Sequence, residues 1–381
     1  MKLALLGSTG SIGTQALEVI ENLDGDVFSI TALAAGKNVA LLSEQIRRWQ
    51  PPVVSVAGPE EANQLSKLID TSKTDIHQGE SGLLACATQS GADRVLNALV
   101  GAAGLSSTIA SLEANIDVAL ANKESLVIGG QLVEDVLKKS DAKLLPVDSE
   151  HSALWQLLRP HQPEEIEKII ITASGGALRD WPLAQLNQAT PQDVLKHPNW
   201  DMGARITVDS ATLVNKAFEV IEAHWLFHLP YEKIEAVVHP QSLVHGMVEL
   251  CDGMVLAHIG MPDMKVPIQY ALTAPLHQPM KTERMRWAGQ TLEFGSVCDE
   301  RYPAFSTILE GVEAGGAALA ALNAADEVLI SRFLNAEISF TCIASGLQKI
   351  LDQYTPASLS LEAISSTDQW AREAAACLKP L

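Results

Sequence analysis

The chain has 381 residues, is 47% hydrophobic and carries a formal net charge of −19. That length exceeds one ordinary core and points to two or three domains. The acidic balance argues against nucleic acid and anionic membrane as partners, because both are held through cationic surface. It leaves room for a small anionic substrate, for which Lys123, Arg205 and Lys216 are the candidate cations. Five cysteines, Cys86, Cys251, Cys298, Cys342 and Cys377, show neither zinc-ligand nor disulfide spacing, so reduced thiols are expected. The apolar start Leu3 to Leu6 is cut by Gly7. It is too short for a signal segment and no later run spans a membrane, so the expected location is cytoplasmic.

From the first residue strand and helix patterns alternate. Lys2 to Leu6 reads as a strand, Ser11 to Leu23 as a helix, Val27 to Ala34 as a strand, Val39 to Trp49 as a helix and Val53 to Ala57 as a strand. Such alternation implies a parallel sheet covered on both faces. The first turn is Gly7-Ser8-Thr9-Gly10-Ser11-Ile12-Gly13. Glycines there allow a tight turn, and the N–H groups opening the next helix suit a pyrophosphate. The second strand ends in Ala34-Ala35-Gly36-Lys37-Asn38, with no acidic residue between Asp26 and Glu44. An acid at that place would hold a ribose 2′-hydroxyl and a cation a 2′-phosphate, so Lys37 favours NADP over NAD, against its reading as an ordinary surface lysine.

Further strands are expected at Val95 to Val100 and Val118 to Ala121, around a helix from Ser106 to Ala114. The second of these strands ends in Asn122-Lys123-Glu124-Ser125, either a ligand site outside a strand's carboxyl end or a plain capping turn. Lys143 to Val147 is a strand that runs into Asp148-Ser149-Glu150-His151. Read as extended chain, residues two apart face one way, so Asp148 and Glu150 converge. Paired carboxylates repel unless they share a proton or a cation, and oxygen-only ligation suits Mg²⁺ or Mn²⁺.

The segment from His197 to Arg205 puts His197, Trp200 and Met202 in a loop, as a covering loop would. Ser210 to Phe227 contains no Pro or Gly and predicts one helix capped by Asp209 or Ser210. At about 100° per residue, Thr212, Asn215, Lys216, Glu219 and Glu222 share a polar arc opposite Val214, Phe218, Ile221 and Trp225. That polar arc is expected to be wet, with Glu219 able to supply a third oxygen ligand. Strands follow at Ile234 to Val238, Leu243 to Leu250 and Met254 to Ile259, with Asp252-Gly253 as a hairpin turn. Pro267 to Ala274 predicts a short helix, and the Ala- and Leu-rich remainder from Pro303 a helical domain.

With the blocks Ser174-Gly175-Gly176, His197-Pro198-Asn199-Trp200, Asp209-Ser210-Ala211-Thr212, Asn215-Lys216 and His239-Pro240-Gln241-Ser242 added to those above, the chain resembles the 1-deoxy-D-xylulose 5-phosphate reductoisomerase family. The resemblance implies conversion of 1-deoxy-D-xylulose 5-phosphate to 2-C-methyl-D-erythritol 4-phosphate in the non-mevalonate isoprenoid pathway, by a metal-assisted skeletal rearrangement followed by hydride transfer from NADPH. It implies Asp148, Glu150 and Glu219 as ligands of Mg²⁺ or Mn²⁺, Ser149 on the sugar backbone and Lys123 near the reacting carbons. Ser174, Ser210, Asn215 and Lys216 would hold the phosphate, with His197 close by and Trp200 over the substrate on a lid from about Gly175 to Arg205. On the cofactor it places Gly7, Ser8, Thr9, Gly10, Ser11, Ile12, Gly13, Gly36, Lys37, Asn38, Asn122, Lys123, Glu124, Met202, Gly203 and Met264. Glu222, on the arc of Glu219, leaves a question of which reaches the metal; the family pattern and the neighbouring Lys216 favour Glu219. A homodimer is implied by analogy alone, and His239 and His245 are either ligand-orienting or structural.

The fold expected is α/β: an N-terminal Rossmann-like parallel sheet (1–148), a central α+β catalytic domain with a mobile lid loop (149–276), a connector (277–299) and a C-terminal helical domain (300–381). Two other functions fit parts of the pattern. A semialdehyde dehydrogenase-like NADP reductase needs a cysteine nucleophile, which no block provides. A non-catalytic NADP-sensing or scaffolding protein leaves three shared carboxylates without a purpose.

Overall fold

The structure, a computed structural model, describes residues 1–23, 27–196, 199–200 and 202–379. The chain divides into two compact units, 1–125 with 131–152 and 263–282, and 126–130 with 153–262 and 283–381.

The first unit is built on seven strands, β1 (Lys2–Leu6), β2 (Ser29–Ala34), β3 (Val53–Val56), β4 (Asp75–Gln78), β5 (Arg94–Asn97), β6 (Asp117–Leu120) and β7 (Leu144–Pro146). They pair in parallel in the order β4-β3-β2-β1-β5-β6-β7. The order reverses between β1 and β5, which opens a crevice beyond the carboxyl end of β1. Leu3 to Leu6 are all fully buried, as a strand covered on both faces requires. The covering helices are α1 (Ser11–Asn22), α2 (Val39–Trp49), α3 (Pro59–Ser66), α4 (Gly79–Thr88) and α5 (Ala103–Glu113), while α6 (Glu124–Leu137), interrupted at Gly129, has its residues 126–130 in the second unit. The helix Lys265–Thr273, far along the chain, joins the first unit. Its Ile268, Ala271 and Leu272 pack with Leu3, Leu17, Ile20 and Leu33, and Arg94 Nη1 donates to the carbonyls of Ala271 and Leu272 at 2.8 and 3.1 Å.

Two local expectations change. The strand expected over Val95 to Val100 ends at Asn97, and Val100 is 74% exposed beyond it. Asp148-Ser149-Glu150-His151 is not extended: helix α7 (Ser149–Leu158) starts there, and the Asp148 carbonyl accepts from Ser152 N at 2.8 Å. Asp148 and Glu150 are brought together by a helix start and not by strand alternation, a distinction invisible to periodicity in so short a segment.

The second unit holds a mixed sheet of β8 (Ile166–Ala173), β9 (Ile234–Val238), β10 (Val244–Leu250), β11 (Val255–Ile259) and β12 (Gly295–Ser296), in the order β11-β10-β8-β9-β12. Only the β8–β9 pair is parallel, and Asp252-Gly253 turns the β10–β11 hairpin. Beyond α8 (Pro191–Val194), the single helix expected from Ser210 to Phe227 is two, α9 (Ala204–Thr212) and α10 (Val214–Phe227). They break at Leu213, which is left-handed at φ 59° and buried. A left-handed leucine costs about 1–2 kcal/mol. Burial of its side chain offsets that, and Thr212 Oγ1 accepts from Val214 N at 3.3 Å, satisfying an N–H at the start of α10.

With the Lys265–Thr273 helix as α11, four helices follow: α12 (Pro303–Ala314), α13 (Ala318–Leu334), α14 (Thr341–Gln353) and α15 (Leu361–Cys377). α13 is buried along most of its length. Small residues let its neighbours approach: a Cβ on Gly311 of α12 would meet Leu322 at 2.5 Å, and one on Gly346 of α14 would meet Leu329 at 2.8 Å. Phe333, fully buried, lies edge-on to Phe340 with ring centroids 5.8 Å apart. Phe333→Ala is expected to cost about 3–5 kcal/mol, read as a lowered denaturant midpoint with an unchanged far-ultraviolet spectrum before the transition.

Candidate functional site

In the first unit the glycine turn sits at the carboxyl end of β1. Gly7 has φ +84°, and a Cβ there would lie 2.3 Å from Ala98 O. Gly7 N and Ser8 N both donate to Ala34 O at 2.9 and 2.8 Å. Buried Ser8 is locked by Gln45, whose Oε1 accepts from Ser8 Oγ at 2.7 Å and whose Nε2 donates to Ser8 O at 2.8 Å. Gln45 carried no sequence signal, because its role depends on packing of α2 against the turn. Where α1 begins, no side chain caps the helix and its first turn holds no acid, so the N–H groups of that first turn, from Ser11 on, suit an anion. Gly36, Lys37 and Asn38 are exposed beyond β2, with Asn38 Oδ1 capping α2 by accepting from Leu41 N at 3.2 Å.

At the end of β6 the buried Asn122 Nδ2 donates to Leu99 O, Gly101 O and Glu124 Oε2, while its Oδ1 accepts from Ser125. Glu124 Oε1 accepts from Gly101 N at 2.9 Å. Both side chains fix the 97–104 connection. Lys123 reaches Asp148 Oδ2 at 2.8 Å, His151 Nδ1 lies 3.9 Å from the same oxygen, and Ser149 Oγ donates to Glu150 Oε2 at 2.6 Å. Met264 packs on the apolar core of this unit just before α11.

In the second unit β8 delivers Ser174, Gly175 and Gly176. Gly176, at φ +68°, is tight against α9, since a Cβ there would lie 2.5 Å from Ala211 Cα and 2.8 Å from Ser210 C. The turn is held by Ser174 Oγ, which accepts from Gly176 N at 3.2 Å, by Arg179 Nη1 donating to Ser174 O at 2.9 Å, and by Tyr302 OH donating to Gly175 O at 3.2 Å. The backbone of this turn at Gly176 thereby lies against Ser210 and Ala211. Ser210 Oγ donates to Ile206 O at 2.8 Å, and Asn215, Lys216 and Glu219 follow on α10.

The arc expected to be wet is in fact buried: Lys216 is 3% exposed and Glu219 and Glu222 are 1% exposed. A charge out of water must be paired. Lys216 Nζ donates to Glu219 Oε2 and Asn215 Nδ2 to Glu219 Oε1, so one carboxylate gathers a cation and an amide. Periodicity distinguishes the two faces of a helix but not what covers the polar one.

Arg205 does not serve as the free cation that the sequence offered. Its Nη1 reaches Glu327 Oε1 and its Nη2 reaches Asn323 Oδ1, each at 2.8 Å, with Asp209 and Asp326 at 3.6 Å. Asp209 is an interior residue of α9 and not a cap.

The segment expected as one loop from 175 to 205 is largely structured. It carries a 3₁₀ turn (Leu183–Gln188) and α8, whose cap Thr190 shares a capping box with Asp193. Leu178, Leu186 and Val194 are buried, and Arg301 donates to Leu178 O and Trp181 O. Among the described residues, 174–182, 189–190 and the stretch before α9 lie outside helix and strand. There Asn199 Nδ2 donates to Pro240 O at 2.7 Å and Ser242 Oγ at 2.9 Å, and the Trp200 ring lies 6.5 Å from that of His245. Met202 is half-buried and Gly203 exposed, and His197 lies outside the described residues. His239 is structural: Nδ1 bonds Glu293 O and Nε2 accepts from Leu243 N.

The five cysteines are free. Burial pushes the Cys86 thiol up to about 12, which removes it as a nucleophile.

A sheet whose first turn is prepared for phosphate, and a second unit that buries a lysine against a carboxylate, belong to nucleotide-dependent enzymes acting on small anionic substrates. Family models described as 1-deoxy-D-xylulose 5-phosphate reductoisomerase match residues 3–130, and two models of its C-terminal domains match 144–227 and 259–374. A reductoisomerase of that name from Chlorobium limicola is 48% identical over 98% of each chain, and one from Geotalea uraniireducens 45% identical over 98% of this chain and 97% of its own. Two solved structures share the architecture. One is the Zymomonas mobilis reductoisomerase in complex with NADPH (TM-score 0.91, 40% identity, 98% of both chains). The other is a DOX-P reductoisomerase in complex with NADPH, fosmidomycin and magnesium (0.92, 35%, 98% of this chain and 97% of that one). The chain belongs to the 1-deoxy-D-xylulose 5-phosphate reductoisomerase family.

Gly176→Ala is expected to force the turn away from Ser210 and Ala211 and to lower stability by about 1–3 kcal/mol, measured by chemical denaturation. An unchanged midpoint would show that the turn relaxes without cost.

Proposed function

We propose that the protein converts 1-deoxy-D-xylulose 5-phosphate to 2-C-methyl-D-erythritol 4-phosphate in the non-mevalonate isoprenoid pathway, with NADPH and Mg²⁺ or Mn²⁺. The observation that carries this reading is likeness over the whole chain to reductoisomerases, 48% identical in one case.

The residues fit both groups. For the dinucleotide, the Gly7–Gly13 turn opens an uncapped helix, and a Cβ on Gly13 would lie 2.3 Å from Gly7 O, so only glycine keeps the turn this tight. Thr9 to Ile12 would hold the phosphates, and Gly36, Lys37 and Asn38 the adenosine end, with Lys37 as the cation for a 2′-phosphate. Asn122, Lys123, Glu124, Met202, Gly203 and Met264 would hold the nicotinamide end. For the ion, Asp148, Glu150 and Glu219 would supply an oxygen-only donor set, suited to a hard cation. When bound, the ion supplies Lewis acidity for the rearrangement and NADPH supplies the hydride.

The chain's own groups do the rest. Ser174, Ser210, Asn215 and Lys216, with His197, bind the phosphate through neutral donors and one cation. Ser149 orients the sugar backbone, and Lys123, held on Asp148, places a positive charge near the reacting carbons. Trp200 covers the substrate and limits water access while reactive species exist. Among the described residues no helix is long and apolar enough to cross a membrane, and we place the protein in the cytoplasm, as a homodimer by analogy with its family.

NADPH consumption on addition of 1-deoxy-D-xylulose 5-phosphate tests the reading. EDTA, and separately Glu219→Gln, should each lower turnover about a thousandfold or more, while NADPH still binds in a fluorescence titration. Turnover that survives both treatments would remove Glu219 and the ion from the mechanism.

A further inference from the structure

Between α9 and α13 the second unit buries a cluster that the proposed chemistry does not use. Asp326 of α13 is 0% exposed, and neither of its oxygens accepts a hydrogen bond from an N–H or hydroxyl group of the described residues. Arg205 stands 3.6 Å from it, beyond hydrogen-bond reach, because its guanidinium is directed to Glu327 and Asn323 at 2.8 Å. The carboxyl of Asp209 lies beside that of Asp326.

The surroundings set the charge balance. α9 contributes Arg205 and Asp209, and α13 contributes Glu327 beside Asp326 itself. α15 contributes Arg372, which reaches Glu327 Oε2 at 2.7 Å but is shared with Asp368. α12 and α14 meet α13 through Gly311 and Gly346 against leucines. Two guanidiniums thus serve four carboxyl groups, Asp209, Asp326, Glu327 and Asp368, and the one with no donor is fully buried. Two carboxylates in contact there cannot both ionise. Burial first, and then the charge of Asp209, hold the Asp326 carboxyl well above the ordinary carboxylate range.

We propose that Asp326 is a positioning residue for the sugar-phosphate site: as a neutral acid it donates a hydrogen bond to Asp209 and ties α9, with Ser210 next in the chain, to α13. The role in substrate binding rests on the function proposed above. The tie itself does not.

The sign of the pH effect follows from the raised value. The stabilisation from Asp326 is complete below its unfolded-state value of 3.8 and falls away as pH rises towards the folded-state value. Asparagine cannot ionise, yet its amide can donate to Asp209 as the acid does. Asp326→Asn should therefore melt about 2–4 °C above the wild type at about pH 8, with the difference closing towards about pH 4. In turnover, Asp326→Asn should keep KM for 1-deoxy-D-xylulose 5-phosphate within about twofold. Asp326→Leu, which has no donor, should raise it about tenfold with kcat within about threefold. An Asn variant that melts below the wild type at neutral pH, or a Leu variant with unchanged KM, overturns the proposal. If even the wild type shows no turnover, the functional reading has failed, and the melting comparison still decides whether the neutral acid is there.

Discussion

A carboxylate that leaves water must find its compensation in the protein, and α10 is organised by that demand. Glu219 is 1% exposed, and in such surroundings an isolated charge costs several kcal/mol. Lys216 and Asn215 meet it from one and one-plus turns of the same helix, so the compensation is local and arrives with the helix itself. The break at Leu213 belongs to the same arrangement. Had α9 and α10 run on as one helix, Ser210 and Ala211 would not be turned against the Gly176 backbone while Asn215 and Lys216 head a new helix. A strained leucine, stabilised by its own burial, sets the direction of both polar groups.

The two sites proposed for anions are built in different ways. In the first, the turn after β1 offers backbone N–H groups, and geometry is everything: Gly7 and Gly13 leave no room for a side chain, and Gln45 holds Ser8 from behind. In the second, the polar groups are side chains on helices, and their positions depend on packing between α9, α10 and the end of β8. A backbone site needs glycines, which sequence displays. A side-chain site needs supports, which it does not.

That difference explains how much was legible beforehand. The alternating strands and helices through Val56, the glycine turn, the hairpin at Asp252-Gly253 and the helical C-terminal stretch were all readable, because each rests on local pattern or turn chemistry. The start of α7 at Ser149 and the break at Leu213 were not. The first hides in a segment too short to show a period, and the second follows from tertiary burial of a residue with no breaking tendency. Burial of the polar arc on α10 was missed for a related reason: a pattern says which residues share a face, while only the fold says what lies against it. Arg205 was misread as a free cation because its partners, Asn323, Asp326 and Glu327, lie more than a hundred residues away in the chain.

Rigidity and freedom are also divided along the segment that precedes α9. Its first part is nailed down by buried Leu178, Leu186 and Val194 and by Arg301 bonding two carbonyls. Opening it would expose apolar surface at about 25 cal/mol per Å² and release several hydrogen bonds at once. The stretch carrying Trp200 is held by Asn199 on Pro240 and Ser242, contacts that a side-chain rotation can break. On the function proposed, a cover over the substrate has to be cheap to move, whereas the groups proposed to bind its phosphate gain from staying fixed, since binding energy spent on reordering them is lost to the substrate. The Ser174–Gly176 turn, tied by Arg179 and Tyr302, meets that requirement.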